Sequence, residues 1–189
     1  MTVKIDTRSK ILKTALKLFQ LHGYHATGLN EIIKESGAPK GSIYYYFPNG
    51  KEELALKALD LSTKIIKTRI QQELSAFIDP VKAFQFHITE IANFINHPEN
   101  LDDIPMSLLS LEAAFTMESL RKACAATFEA RKKIYVEKLI QSGFKIDKAE
   151  ELGMIIQLMI EGAITLSLTQ KDNLPLLTVV KQIPMLLKS

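Results

Sequence analysis

The sequence predicts an all-α protein with a small three-helix head and a larger helical body. Apolar residues recur at helical spacing along nearly the whole chain, and no alternating strand pattern of useful length interrupts them. The breaks between periodic segments fall at glycine and proline, where helices end. No internal repeat is present.

The first helix carries Ile11, Leu12, Ala15, Leu18 and Phe19 on one face and is expected to stop near His22-Gly23. Leu29, Ile32 and Ile33 mark a short second helix. Gly28 or Thr27 would cap it, with Glu31 placed to complete a capping box. Residues Glu35 to Pro39 form a turn, and a third short helix is expected from about Lys40 to Phe47. Pro48-Asn49-Gly50 then breaks the chain before Lys51-Glu52-Glu53 opens a long fourth helix, which runs to about Ser75. Further helices are expected at about 80–96, 103–116, 118–142, 148–171 and 174–187, separated by His97-Pro98, the stretch around Met117, Ser142-Gly143 and Asn173 to Pro175. The expected division is a head at 1–50 and a body at 51–189.

A chain of 189 residues can hold one sizeable core, or a small domain joined to a larger one. No apolar run approaches the roughly 20 residues needed to span a bilayer. The N-terminus lacks the apolar stretch of a secretory signal. The single Cys124 cannot form an internal disulfide, which fits a reducing compartment. The expectation is therefore a cytoplasmic protein with no membrane partner.

Charge is unevenly spread. Residues 1–51 carry eight Lys/Arg against Asp6, Glu31 and Glu35, a net +5, whereas the remainder carries a net −2. A basic head on a near-neutral body points to a polyanionic partner for the head. Catalytic signals are missing: His22, His25, His87 and His97 show no metal-ligand spacing, Cys124 has no nearby base, and there is no phosphate-cradling glycine loop. The expectation is no enzyme, no cofactor and no metal, with Cys124 a small buried hydrophobe rather than a redox centre.

Two short helices joined by a tight, glycine-containing turn are what a helix-turn-helix requires, because the first helix must brace the second in the major groove. Leu29 to Ser36 would be the brace and Lys40 to Tyr46 the recognition helix. The latter offers Lys40, Ser42, Tyr44, Tyr45 and Tyr46 outward while Ile43 and Phe47 face the core. Lys and Ser can reach base edges or phosphates, and Tyr hydroxyls donate to phosphates. Gly41 removes a side chain where backbone would approach the duplex.

The stretch HGYHATGLNEIIKESGAPKGSIYYYFPNGKEEL resembles the DNA-binding domain of the TetR family along its whole length, through Gly23-Tyr24, Thr27, Gly37, Gly41, Ile43, Tyr44, Phe47, Lys51, Glu52 and Leu54. The resemblance implies that Thr27 contacts a phosphate at the start of helix two. It places Lys40, Gly41, Ser42 and Tyr45 along the groove, while Tyr44, Tyr46 and Lys51 hold the DNA backbone. Tyr44 has a competing role as support for the head's core. Two positions depart from the pattern. Pro39 stands where serine often caps the recognition helix, and the Pro48-Asn49-Gly50 turn is one residue longer than the commonest form, which bears on Lys51.

Beyond residue 55, Pro105-Met106, Leu111-Glu112-Ala113-Ala114, Leu120-Arg121, Cys124, Phe128 and Glu161-Gly162-Ala163 are similar to the LmrA/YxaF branch of that family. This implies a ligand-responsive repressor, bound to a palindromic operator as a homodimer and released by a small aromatic or hydrophobic effector. The alternative is a DNA-binding regulator without small-molecule input. Phe84, His87, Ile91 and Phe94 share one helix face, and Met106, Phe115, Phe128, Met154, Leu158 and Met159 would complete an apolar cavity with them. The same spacing is also that of a packed core. His87 would bond either a ligand hydroxyl or a neighbouring main-chain carbonyl. The helix from Lys148 to Lys171 is apolar on more than one face, so it and Leu174 to Leu187 are the expected dimer seam, with Gly162-Ala163 allowing close approach.

Overall fold

The computed structural model describes residues 6–95 and 107–188. Among these residues it contains nine helices and no strand: α1 (Thr7–Ala26), α2 (Leu29–Ser36), α3 (Ser42–Tyr46), α4 (Gly50–Ser75), α5 (Pro80–Ile95), α6 (Ser107–Thr116), α7 (Glu118–Gln141), α8 (Ile146–Gln170) and α9 (Leu174–Leu186). The expected helices are present. Two boundaries differ for physical reasons. Helix α1 does not stop at Gly23 but turns there, at φ 82° and ψ 171°, and resumes to Ala26. Helix α3 begins at Ser42, so Lys40 and Gly41 belong to the turn before it.

The ends of these helices follow from their sequences. Asp6 caps α1 by accepting from the Ser9 N–H at 3.0 Å, satisfying one of the donors a helix start leaves open. Gly37 ends α2 in the left-handed conformation (φ 63°), with its N–H donating to the Lys34 carbonyl. Pro175 occupies the first turn of α9, where a missing N–H removes no bond.

The chain packs as two compact units: Met1–Lys64 with Met106–Thr127, and Ile65–Pro105 with Phe128–Ser189. This differs from a division at residue 50. The first turns of α4, all of α6 and the start of α7 pack with α1, α2 and α3, because α6 lies against α1. Buried residues of the first unit include Ile11, Phe19, Ile32, Ile43, Phe47 and Leu54. Cys124 is buried there too, and burial pushes its thiol up to about 11, so it stays protonated and unreactive at neutral pH.

The second unit is built on α5, α8 and α9, with α7 completing its core. Phe84, Ile88, Tyr135, Leu139, Leu152, Ile156 and Leu176 are fully or nearly fully buried. At Gly153 an added Cβ would stand 2.7 Å from Val136, which is why α7 and α8 approach so closely there. Contrary to the expectation that no apolar run approaches spanning length, α8 is apolar and long enough to cross a membrane by length and composition, with 44% of its most apolar window buried inside this unit.

A chain of polar side chains crosses this core. His87 is 1% exposed, with Nδ1 2.6 Å from a Glu73 carboxylate oxygen and Nε2 3.0 Å from the Tyr135 hydroxyl. Burial lowers the His87 pKa, the nearby Glu73 only partly opposing it, and burial raises that of Tyr135. The imidazole is therefore neutral: Nδ1–H donates to Glu73, and Nε2 accepts from Tyr135. Removing the Tyr135 hydroxyl leaves a buried imidazole nitrogen without its donor. Tyr135→Phe should destabilise the protein by about 1–2 kcal/mol, read as a lower urea midpoint at unchanged slope.

Candidate nucleic-acid interface

The head is assembled around a turn that Gly23 and Thr27 form together. Gly23 kinks α1, and the buried Thr27 hydroxyl shares its proton between two carbonyls of that helix, Gly23 at 2.8 Å and Leu18 at 3.1 Å. Thr27 thus differs from the phosphate contact expected of it. Its side chain is fully buried, and its hydroxyl is spent on closing α1. It does not cap α2 either; there the Glu31 carboxylate accepts from the Gly28 N–H at 3.4 Å.

Helix α3 is short and two-faced. Ile43 is buried inward, and Phe47, just past its end, closes the core while its N–H donates to the Ile43 carbonyl at 2.7 Å. With those two turned in, helical geometry sends Tyr44 and Tyr45 out, at 63% and 80% exposure. Tyr44 is therefore not a core support. Tyr46 is half-buried, edge-on to Tyr45 with ring centroids 4.9 Å apart, which holds the two rings in fixed relation. Ser42 is half-buried, and its N–H donates to the Pro39 carbonyl at 2.9 Å. That bond does the work of the absent serine cap. Lys40 and Gly41 are exposed in the turn ahead of it, and space beside Gly41 is open. Lys40, Ser42, Tyr44 and Tyr45 thus share one outward surface of hydroxyls and an ammonium.

Lys51 is placed less freely. Its ammonium donates to the His25 carbonyl at 3.4 Å and lies 4.4 Å from the centre of the Tyr24 ring. Burial pushes its pKa down, opposed by the Glu112 carboxylate. Two residues escaped the sequence reading. Arg8 stacks its guanidinium 5.5 Å over the Phe47 ring, next to α3; the signal was its place in the basic run at the N-terminus. Glu112 accepts from the Tyr24 N–H, and no periodicity marks such a contact.

The expected effector residues do not gather into one lining. Phe84 is buried edge-on to Tyr135, and His87 bonds Glu73 and Tyr135 rather than a ligand or a main-chain carbonyl. Ile91 and Phe94 are half-buried. Phe128 is half-buried beneath the Arg131 guanidinium, which pairs with Glu161. Phe115 is 88% exposed on α6 in the first unit, the opposite of a cavity residue. Met154 and Leu158 are exposed on α8, and Met159 lines an open apolar groove with Leu158, Gly162, Ala163, Leu174 and Val179. Met106 lies outside the described residues.

Comparison with known proteins agrees with this architecture. Residues 11–58 match the model of the bacterial regulatory proteins of the tetR family, and residues 80–182 match the C-terminal domain of LmrA/YxaF-like transcriptional regulators. The chain is 49% identical to the HTH-type transcriptional regulator YxaF of Bacillus subtilis (strain 168) over 188 residues, covering 100% of this chain and 98% of that protein. It is 44% identical to the HTH-type regulator LmrA of the same organism over 183 residues, covering 97% of each. Among solved structures, reduced NemR of E. coli superposes with a TM-score of 0.82 at 18% identity, over 94% of this chain and 95% of that one, a likeness of fold. A head that turns Lys40, Ser42, Tyr44 and Tyr45 outward from a helix-turn-helix, and a body of the LmrA/YxaF-like type, make this chain a member of the TetR family of DNA-binding transcriptional regulators.

Proposed function

We propose that the protein is a cytoplasmic repressor that binds a palindromic operator as a homodimer and is released by a small aromatic or hydrophobic effector. The observation that carries the DNA half is the pair Tyr44 and Tyr45, large aromatics exposed beside Lys40 on a helix whose other face is fully buried. Exposed tyrosines on so short a helix gain nothing for folding, whereas their hydroxyls and the Lys40 ammonium suit phosphate oxygens and base edges. The net +5 of residues 1–51 adds a salt-dependent attraction.

The homodimer is supported by α8 and α9. Leu158, Leu166 and Leu174 are exposed along the groove between these helices, and Gly162 leaves room beside it. Each leucine buried there is worth roughly 1.5–3 kcal/mol, so a few of them on two equivalent copies sustain a stable seam. It would also cover the apolar faces of α8 that its own unit leaves open. Two heads so joined would read half-sites about one helical turn apart.

Effector release is supported by the LmrA/YxaF-like match over residues 80–182. Helices α4 and α7 each run through both compact units, so they are two of the covalent routes by which an effector would bias the heads. A tenfold loss of operator affinity requires about 1.4 kcal/mol of preference for the released state. The dense packing of Phe84 and His87 favours a second reading, a regulator without small-molecule input.

Lys40→Ala and Tyr45→Ala should each weaken binding to a duplex selected from a random pool by roughly tenfold or more, at unchanged melting temperature. Fluorescence anisotropy against salt checks this; unchanged affinity would remove α3 from the interface. Leu158→Arg with Leu166→Arg should convert a dimer into a monomer at micromolar concentration in analytical ultracentrifugation. The monomer should bind the duplex far more weakly.

A further inference from the structure

Helix α1 changes direction at Gly23, and the peptide that follows is gripped on both sides. The Gly23 carbonyl accepts from the Thr27 hydroxyl at 2.8 Å, and the Tyr24 N–H of the same peptide donates to the Glu112 carboxylate on α6. Helix α6 comes as near as a glycine permits: a Cβ at Gly23 would stand 2.6 Å from both Glu112 carboxylate oxygens. A second strut lies one turn further along α6, where the Thr116 hydroxyl is 3.3 Å from His25 Nε2. Lys51, at the start of α4, donates to the His25 carbonyl.

This corner lies directly before the helix-turn-helix. Thr27 is followed by Gly28, whose carbonyl accepts from the Ile32 N–H at 3.1 Å and so begins α2. Helix α2 braces α3. A shift of the Gly23–Tyr24 peptide therefore moves the Thr27 hydroxyl's acceptor, and with it the origin of α2.

We propose that Glu112 is a positioning residue for DNA binding. It reaches no DNA, yet it sets α2 and α3 by holding the Gly23–Tyr24 peptide, and through that peptide a displacement of α6 passes to the reading head. The proposal rests on the DNA-binding reading of the head. Its site is α6 of the first unit, a helix with no base or phosphate contact assigned to it.

The test uses the full-length protein and the duplex that wild type selects from a random-sequence pool. Loss of a hydrogen bond to a charged acceptor is worth about tenfold or more in an equilibrium. Glu112→Ala should bind the duplex about tenfold more weakly at a temperature well below melting. Hydrogen exchange at the Tyr24 amide should speed up, and exchange at the Ile32 and Ile33 amides of α2 should follow. Glu112→Gln, which keeps a carbonyl acceptor, should restore slow exchange and most of the affinity. A merely structural role would show in melting temperature without this rescue pattern. If the alanine variant fails to fold, Glu112→Asp, one methylene too short, carries the same readouts. Wild-type affinity and Tyr24 exchange in the alanine or aspartate variant would overturn the proposal, as would equal impairment in the glutamine variant. If wild type selects no duplex, the DNA reading fails, and the Tyr24 exchange alone decides whether Glu112 holds the peptide.

Discussion

The DNA-reading head depends on how one break in a helix is repaired. Gly23 takes α1 into the left-handed region, where its ladder of main-chain bonds cannot continue. The buried Thr27 hydroxyl reaches back to two carbonyls of this corner, sharing its single proton between Gly23 and Leu18. Losing that shared buried hydrogen bond costs about 1–3 kcal/mol. The same threonine stands two residues before α2, so the bond that repairs α1 also sets where the brace of the recognition helix begins. Ile43 and Phe47 then fix which side of α3 faces inward, helical geometry sends Tyr44 and Tyr45 outward, and Lys40 is exposed in the turn before the helix.

The second unit solves a different problem with the same chemistry. Its mostly apolar interior holds the Glu73–His87–Tyr135 chain, in which both nitrogens of the imidazole have a partner. A neutral histidine held this way acts as a structural strut and not as a titrating switch. Its two bonds join α4, α5 and α7 residues at a point where purely apolar packing specifies position less sharply. The exposed leucines of α8 and α9 are the counterpart on the surface: apolar area left open to solvent.

Much of this was legible in the residues. The helical period of Ile11, Leu12, Ala15 and Phe19, and the stops at Pro48-Asn49-Gly50 and Ser142-Gly143, place elements to within a few residues, since period and breakers are local properties. The exposure of Tyr45 was legible too, because two adjacent aromatics on a five-residue helix cannot both turn inward. What escaped is what depends on distant partners. A threonine before a helix reads as a cap or a phosphate ligand; only the kink at Gly23 diverts its hydroxyl inward. Phe84, His87 and Phe115 all look like cavity residues by type and spacing. Yet Tyr135 packs against the first two, about fifty residues away in sequence, and Phe115 faces outward on α6. Glu112 carries no periodic signature at all, since its partner is a main-chain N–H that only the fold brings near.

The central claim is that Thr27 acts by holding the α1 corner and not by touching DNA, and replacing its hydroxyl with a methyl tests it directly. Thr27→Val keeps shape and burial, whereas Thr27→Ser keeps the hydroxyl. Melting and duplex affinity should be measured together on both. The account predicts that Thr27→Val lowers thermal stability by about 1–3 kcal/mol and weakens duplex binding with it, while Thr27→Ser retains most of both. A Thr27→Val protein as stable as wild type that had lost DNA binding would contradict the account, and would return the hydroxyl to the phosphate.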